Sequence, residues 1–244
     1  RSIVVGRPYI YLAVDTASHV IAGVYIGFSC DETAVMACIE QATMDKVAYC
    51  ARYGIEITPE QWPSAGMPSE IITDQGREFF GPRMAALCRR YGLEVLTLPP
   101  FRPDCKGAVE KTIDLLQQRY KPMLRGRGVI EDDAQERWAT DYRTQATLDL
   151  DDFARVVIHS VLYLNSGRLV DGKTPAERWT ELSPRLMAVD PQELHIQTLP
   201  RDTAKLTRKG LRINRMWYAP DDADGLTIGD SYTCLLYTSP SPRD

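Results

Sequence analysis

Glu70-Ile-Ile-Thr-Asp-Gln-Gly-Arg-Glu-Phe79 is the stretch on which the reading of this chain turns. Glu70 to Thr73 has the length and β-branched content of a short buried strand. Asp74 then stands at its carboxyl end, where open α/β sheets tend to place their sites. Outward from it, Pro82 to Tyr91 reads as a helix stopped by Gly92, and Leu93 to Leu98 as another strand. Pro99-Pro-Phe-Arg-Pro103 carries three prolines, which remove donors and fix φ, so the following helix is expected to start near Gly107. Its buried stripe is Val109, Ile113, Leu116 and Tyr120, which leaves Glu110 on the flank of the stripe in the first turns.

Upstream, residues 8–15 and 20–29 are β-branched and aromatic runs around a short polar turn, the pattern of an antiparallel hairpin. From Asp31 the period becomes helical, with Val35, Ile39, Ala42, Tyr49 and Tyr53 on one stripe ending at Gly54. Hairpin, helix, strand, helix, strand, loop, helix is an α/β layered order that fits an RNase H-like core. Downstream, Glu131 to Asp149 reads as a polar loop or insertion and Leu150 to Asn165 as a helix. Thr174-Pro-Ala-Glu-Arg-Trp179 starts another, with Thr174 as N-cap and Pro175 at the first helical position. Leu206 to Tyr218 alternates basic and apolar residues around Gly210, as a β-hairpin does. The expected organisation is a core over 1–130, its helical extension over 131–190, the start of a small β domain over 191–233, and a tail over 234–244.

The chain has 244 residues, 44% hydrophobic and 25% charged, enough for a sizeable core, and its apolar runs are too short to span a membrane. Six cysteines without a CxxC pair and three distant histidines exclude zinc-ligand spacing, and a reduced cytosolic protein is expected. The net charge of −4 argues against a nucleic-acid partner until its distribution is read. Arg77 to Arg127 holds eleven Lys/Arg against five Asp/Glu, and Arg201 to Arg215 six against one, whereas Glu131 to Asp152 holds eight acids against two bases. Such runs serve either as solvated faces or as phosphate-binding stripes.

Asp74 and Glu110, with 35 residues between them, are a strand end and a helix start that can converge. Taken singly, an Asp after a strand caps a loop and a Glu in a first helical turn answers the helix dipole. Together, with no His, Ser or Cys nucleophile beside them, they point to hard cations with oxygen ligands, Mg²⁺ or Mn²⁺, and to phosphate as the reacting group. Two such ions support in-line displacement without a covalent enzyme intermediate. Cys105 beside Lys106 has no evident base partner for thiol chemistry. Trp62, Trp138, Trp179 and Trp217 read as packing residues.

Ile71 to Phe79 and Pro99-Pro-Phe-Arg-Pro-Asp-Cys-Lys-Gly-Ala-Val-Glu110 resemble the second and third acidic motifs of the retroviral-integrase and DDE transposase superfamily. The resemblance is nearest to TnsB-type transposases of heteromeric bacterial transposons. It extends through Gly6-Arg-Pro, Val14-Asp-Thr-Ala-Ser18, Ile26-Gly-Phe28, Thr140-Asp-Tyr-Arg143 and the late hairpin, which resembles the start of the β-barrel shared with phage Mu transposase. It implies an integrase-type catalytic core, two Mg²⁺ or Mn²⁺ ions at Asp74 and Glu110, double-stranded DNA as substrate, and Arg102, Lys106 and Lys111 on its phosphates. It also implies a self-oligomer on DNA, an endonuclease partner, an ATP-dependent target-selection partner, and a bacterial cytoplasmic, nucleoid-associated location. Its chemistry is 3′-end cleavage and strand transfer. The rivals are a non-catalytic DNA-binding module of the same fold and an RNase H-like nuclease acting on RNA hybrids.

One departure matters. The family carries its first catalytic Asp on the first of three antiparallel strands, and here only two strands precede Asp31. Asp15 then matches the second-strand acid, which does not bind metal; its alternative is that Asp15, Asp74 and Glu110 form the whole triad. The expectation is that the first strand lies before Arg1 and that the chain as given is inactive. Cys234 to Asp244 resembles a translated sequencing adapter and is set aside.

Overall fold

The computed structural model describes residues 6–74, 76–97, 103–128, 145–182, 184–213, 215–220 and 225–235. The chain divides into two units, Arg1–Pro191 and Gln192–Asp244.

The first unit opens with the expected hairpin, β1 (Tyr9–Val14) and β2 (Ile21–Gly27), antiparallel from Tyr9↔Gly27 with an irregularity between Ala13 and Val14. Asp15 builds the turn: its carboxylate accepts from the Ser18 amide and hydroxyl, each at 2.7 Å. An aspartate that bonds the backbone three residues on mimics a backbone turn, and here His19 closes it with φ of 64°.

The helix expected over 31–54 is two helices, α1 (Glu32–Thr43) and α2 (Lys46–Ala51). Asp45 starts the second by accepting from the Ala48 amide at 2.9 Å. Lys46 ends the first, its ammonium donating to the carbonyls of Gln41, Ala42 and Met44 at 3.0, 2.9 and 2.9 Å. A cation on the last carbonyls of a helix meets both their unused acceptors and the dipole. The apolar stripe runs across the break because Ile39, Ala42 and Tyr49 are all buried, so periodicity alone did not register it.

β2 has side chains where a further strand would pair. Asn165 accepts from the Ile21 amide at 2.9 Å and donates to the Ile21 carbonyl at 3.1 Å, Trp62 donates to the same carbonyl at 2.7 Å, and Gln41 accepts from the Val24 amide at 2.7 Å. Behind the hairpin an apolar core gathers Ile21, Val24, Tyr49, Trp62, Leu116, Val157, Ile158 and Val161. It draws on α4 (Pro103–Met123) and α5 (Leu150–Leu162), the latter capped by Asp149 on the Asp152 amide at 2.7 Å. A wide helical turn over Tyr163–Gly167 follows α5 and presents Asn165. Thr174 caps α6 (Pro175–Leu182) as expected, with Glu177 bonding back to its amide at 2.7 Å.

β3 (Glu70–Thr73) and β4 (Glu94–Thr97) are parallel, Ile71 opposite Val95 and Ile72 opposite Leu96, and are joined through α3 (Pro82–Tyr91) with Gly92 left-handed at φ 67°. β3 was expected to be buried. Only Thr73 is; Ile72 and Leu96 are each 42% exposed, because among the described residues each strand pairs only with the other. α4 begins at Pro103 rather than near Gly107. Proline is tolerated in the first helical turn, where its missing donor has no intrahelical partner to lose.

The second unit is an antiparallel sheet ordered β7-β6-β5-β8: β5 (Arg201–Thr207), β6 (Gly210–Ile213), β7 (Met216–Tyr218) and β8 (Ser231–Leu235). Alternation puts Ala204, Leu206, Leu211 and Ile213 on one buried face. Gly210 has φ of 103° and its missing Cβ would collide with the Tyr218 carbonyl, so the hairpin requires glycine there. Helix α7 (Pro191–Thr198), at the start of this region, and strand β8 were not anticipated. β8 takes in two residues of the stretch set aside, since Cys234 pairs with Asp202 and Leu235 with Arg201; residues 236–244 lie outside the described residues. No described helix is long and apolar enough to cross a membrane.

Candidate active site

Asp74 follows the last residue of β3 and is exposed, with Oδ1 accepting from the Gly76 amide at 3.2 Å. Glu110 lies in the third turn of α4, somewhat later in the helix than a start near Gly107 implied, because α4 begins at Pro103. It is exposed, one position from the half-buried Val109, while Leu116 on the apolar stripe is buried. Two exposed carboxylates are the oxygen donor set that a hard divalent ion accepts. They are two donors, and among the described residues no group of three or more His, Cys, Asp and Glu gathers as a metal site. Asp15 is half-buried and holds its own turn through Ser18. Lys111 is exposed on α4; Lys106 is in α4 with its side chain outside the described residues, as are Arg102 and the Thr140 to Arg143 motif.

Among the described residues between Asp74 and α3, Gly76 to Phe80 are ordered by hydrogen bonds. Phe79 donates to the Gly76 carbonyl and Phe80 to that of Arg77, both at 3.2 Å, closing a tight helical turn over Arg77–Phe79. α3 then begins at Gly81-Pro82 without a capping side chain of its own. Glu32, from the first turn of α1, supplies one: Oε1 accepts from the Arg83 and Met84 amides at 2.9 and 3.1 Å. Oε2 pairs with the Arg83 Nε at 3.0 Å, and the Arg83 Nη2 reaches the Thr33 hydroxyl at 3.0 Å. Both charged side chains are largely covered, 11% and 15% exposed. Sequence reading overlooked Glu32 and Arg83. The available signal was a helix start of the form Gly-Pro with no Ser, Thr, Asp or Asn to accept its first amides.

Residues 1–126 match the family model described as the TnsB C-terminal domain. The chain belongs to that family. It is thus a member of the DDE transposase and integrase superfamily, and the strand end carrying Asp74 and the helix carrying Glu110 both lie inside the matched span. The chain is 29% identical to transposon Tn7 transposition protein TnsB of Escherichia coli, over 90% of this chain and 33% of that protein, so it spans about a third of the length of this curated relative. A shorter likeness, 27% identical over 36% of this chain and 7% of the other, is to the uncharacterized protein K02A2.6 of Caenorhabditis elegans. Among solved structures, the catalytic core domain of BIV integrase is similar over 72% of this chain and 88% of its own, at TM-score 0.44 and 19% identity. The HTLV-2 integrase catalytic core in complex with magnesium is similar over 70% and 80%, at TM-score 0.39 and 17% identity.

Proposed function

We propose that this chain is the catalytic part of a transposase that cleaves DNA at transposon 3′ ends and joins each freed 3′-hydroxyl to target DNA in a divalent-metal-dependent reaction. The observation that carries this is the family match over residues 1–126, which embraces one acid at a strand end and a second on a helix, Asp74 and Glu110. When bound, two Mg²⁺ or Mn²⁺ ions supply the charge that activates an attacking oxygen and steadies a leaving one. The chain's own part is to hold them: Asp74 from the mouth of β3, Glu110 from α4. Arg102, Lys106 and Lys111 near Glu110 position the DNA through its phosphates.

Asp15 stays outside the metal set in this reading. Its carboxylate accepts two hydrogen bonds from Ser18, and a carboxylate committed to a turn would have to give these up to take a cation. The third acid then comes from a further strand beside β1. The reading also assigns residues 1–130 to the core, 131–190 to its helical extension and 191–233 to the start of a DNA-contacting β-barrel. It includes self-assembly on DNA, an endonuclease partner, an ATP-dependent target-selection partner and action at the bacterial nucleoid.

The test is made in a protein extended to the length of the relative. Asp74→Asn and Glu110→Gln should each abolish 3′-end cleavage and strand transfer while leaving binding to end DNA within about twofold, because an amide loses the charge that holds a cation. Strand transfer at the wild-type rate in either variant overturns the reading and leaves a DNA-binding module of the same fold.

A further inference from the structure

We propose that Glu32 is a positioning residue for the Asp74 carboxylate, acting through the N-terminus of α3; this rests on Asp74 being a metal-holding acid. Glu32 sits on α1, far from Asp74 in sequence, yet it closes the far end of the segment that Asp74 opens. One of its oxygens takes the first free amides of α3, Arg83 and Met84, and the other takes the Arg83 guanidinium, which in turn grips Thr33. The two largely covered charges are satisfied by each other and by backbone, the condition under which such a pair holds one geometry. Between this anchor and Asp74 run Gly76, the Arg77–Phe79 turn and Gly81, and the turn closes on Gly76, whose amide donates to Asp74 itself. The loop therefore has two fixed ends: β3, paired with β4, and α3, pinned to α1.

Gly81 shows how close the approach is. Its φ of −77° suits any residue, so glycine is not needed for the backbone. A Cβ there would collide with the Glu32 carboxylate. The carboxylate would have to move aside to admit a Cβ, so a substitution here supplies a second way to dislodge Glu32 without altering it. Displacing a catalytic group by about 1 Å through a change remote from the chemistry costs about 100-fold in rate.

The experiment uses the extended protein, with strand transfer measured against transposon-end DNA in Mn²⁺ and amide hydrogen exchange measured in parallel. Glu32→Ala should lower kcat roughly 10- to 100-fold with KM for DNA within about twofold. Gly76, Arg83 and Met84 amides should exchange faster, while those of Ile21 and Val24 keep their protection. Glu32→Gln, which keeps an acceptor for the α3 amides but turns an NH2 donor toward Arg83, should recover only part of the lost kcat. Gly81→Ala should reproduce the defect and add nothing to it in the Glu32→Ala background. Unchanged kcat in Gly81→Ala overturns the proposal even should Glu32→Ala fail to fold, and unchanged kcat in Glu32→Ala with faster exchange at Arg83 and Met84 reduces Glu32 to a helix cap. Asp74→Asn is run beside them. Wild-type turnover in that variant brings down the site assignment itself, whereas loss there with normal turnover in Glu32→Ala and Gly81→Ala removes only the role of Glu32.

Discussion

The β1–β2 hairpin and the β3–β4 pair are both two-stranded, and they are finished in opposite ways. β2 is sealed by side chains: Asn165 and Trp62 on Ile21, Gln41 on Val24, with Ile21, Val24, Trp62 and Asn165 almost wholly buried. The β3–β4 pair leaves Ile72 and Leu96 42% exposed and has Asp74, the acid of the candidate site, at its open end. The difference separates two demands on one unit. Stability is concentrated where polar groups can be buried and paired, and the proposed reading, in which Asp74 holds a cation beside DNA, requires that acid to stay in reach of solvent.

The largest test of this contrast is Trp62→Ala. Trp62 is 2% exposed, stacks edge-on against Tyr49 at 6.1 Å and donates to the Ile21 carbonyl. Its loss should cost about 3 to 5 kcal/mol in urea unfolding, whereas Leu96→Ala should cost less than about 1.5 kcal/mol. Comparable losses at the two positions would dissolve the contrast. Next comes Asn165→Ala, which deprives the buried Ile21 amide of its acceptor and should cost about 2 to 3 kcal/mol. Asn165→Asp should cost at least as much, because the carboxylate cannot donate to the Ile21 carbonyl.

Lys46 offers a pH test of the same region. It is 3% exposed, and burial pushes its ammonium down to about 7, against the opposing pull of Asp45, Cys38 and Cys50. In the unfolded chain it keeps the ordinary lysine value of 10.5. Below pH 7 both states hold the proton and the folded state bears the full cost of burying it. Between 7 and 10.5 the unfolded state binds the proton that the folded state has released, so stability rises with pH across that window. Urea midpoints at pH 7 and 9.5 should show a gain on the order of 2 kcal/mol in the wild-type chain that Lys46→Met lacks. Equal pH dependence in the two proteins would show that burial of the Lys46 ammonium does not carry the effect.

What could be read from the sequence follows the same division. Period and punctuation located β1, β2, α3, β4, α5 and α6 to within a few residues, because each carries its own signals: alternation, the Gly92 stop, the Thr174-Pro175 start. The two family motifs placed Asp74 at a strand end and Glu110 on a helix. Illegible were the features made by contacts between distant segments. Lys46 looks like a surface lysine until the end of α1 is seen to fold over it, Asn165 lies 144 residues from Ile21, and Glu32 lies 51 residues from the amide it caps. The exposure of β3 was misread for a related cause, since a run such as Ile71-Ile72 shows apolar character but not how many strands will flank it. α7 was missed because Pro191 to Thr198 has almost no apolar periodicity to reveal it.

The smallest expected effect separates the two aspartates. Asp15 and Asp74 both follow a strand and both bond forward along the chain, but Asp15 accepts two bonds at 2.7 Å from the buried Ser18, and Asp74 accepts from Gly76 at 3.2 Å in the open. Asp15→Ala removes a turn cap and should cost about 1 kcal/mol, as a lost N-cap does. Asp74→Asn keeps the Oδ1 acceptor for Gly76 and removes a charge that lies exposed, so its unfolding midpoint should stay within about 0.5 kcal/mol of wild type. Urea titrations of both variants at one pH decide the point. A loss above about 1 kcal/mol in Asp74→Asn would show that its charge holds the loop together, making it a structural carboxylate like Asp15. An unchanged Asp15→Ala would leave the Asp15 carboxylate dispensable to its turn, and so available to serve with Asp74 and Glu110 as a third ligand.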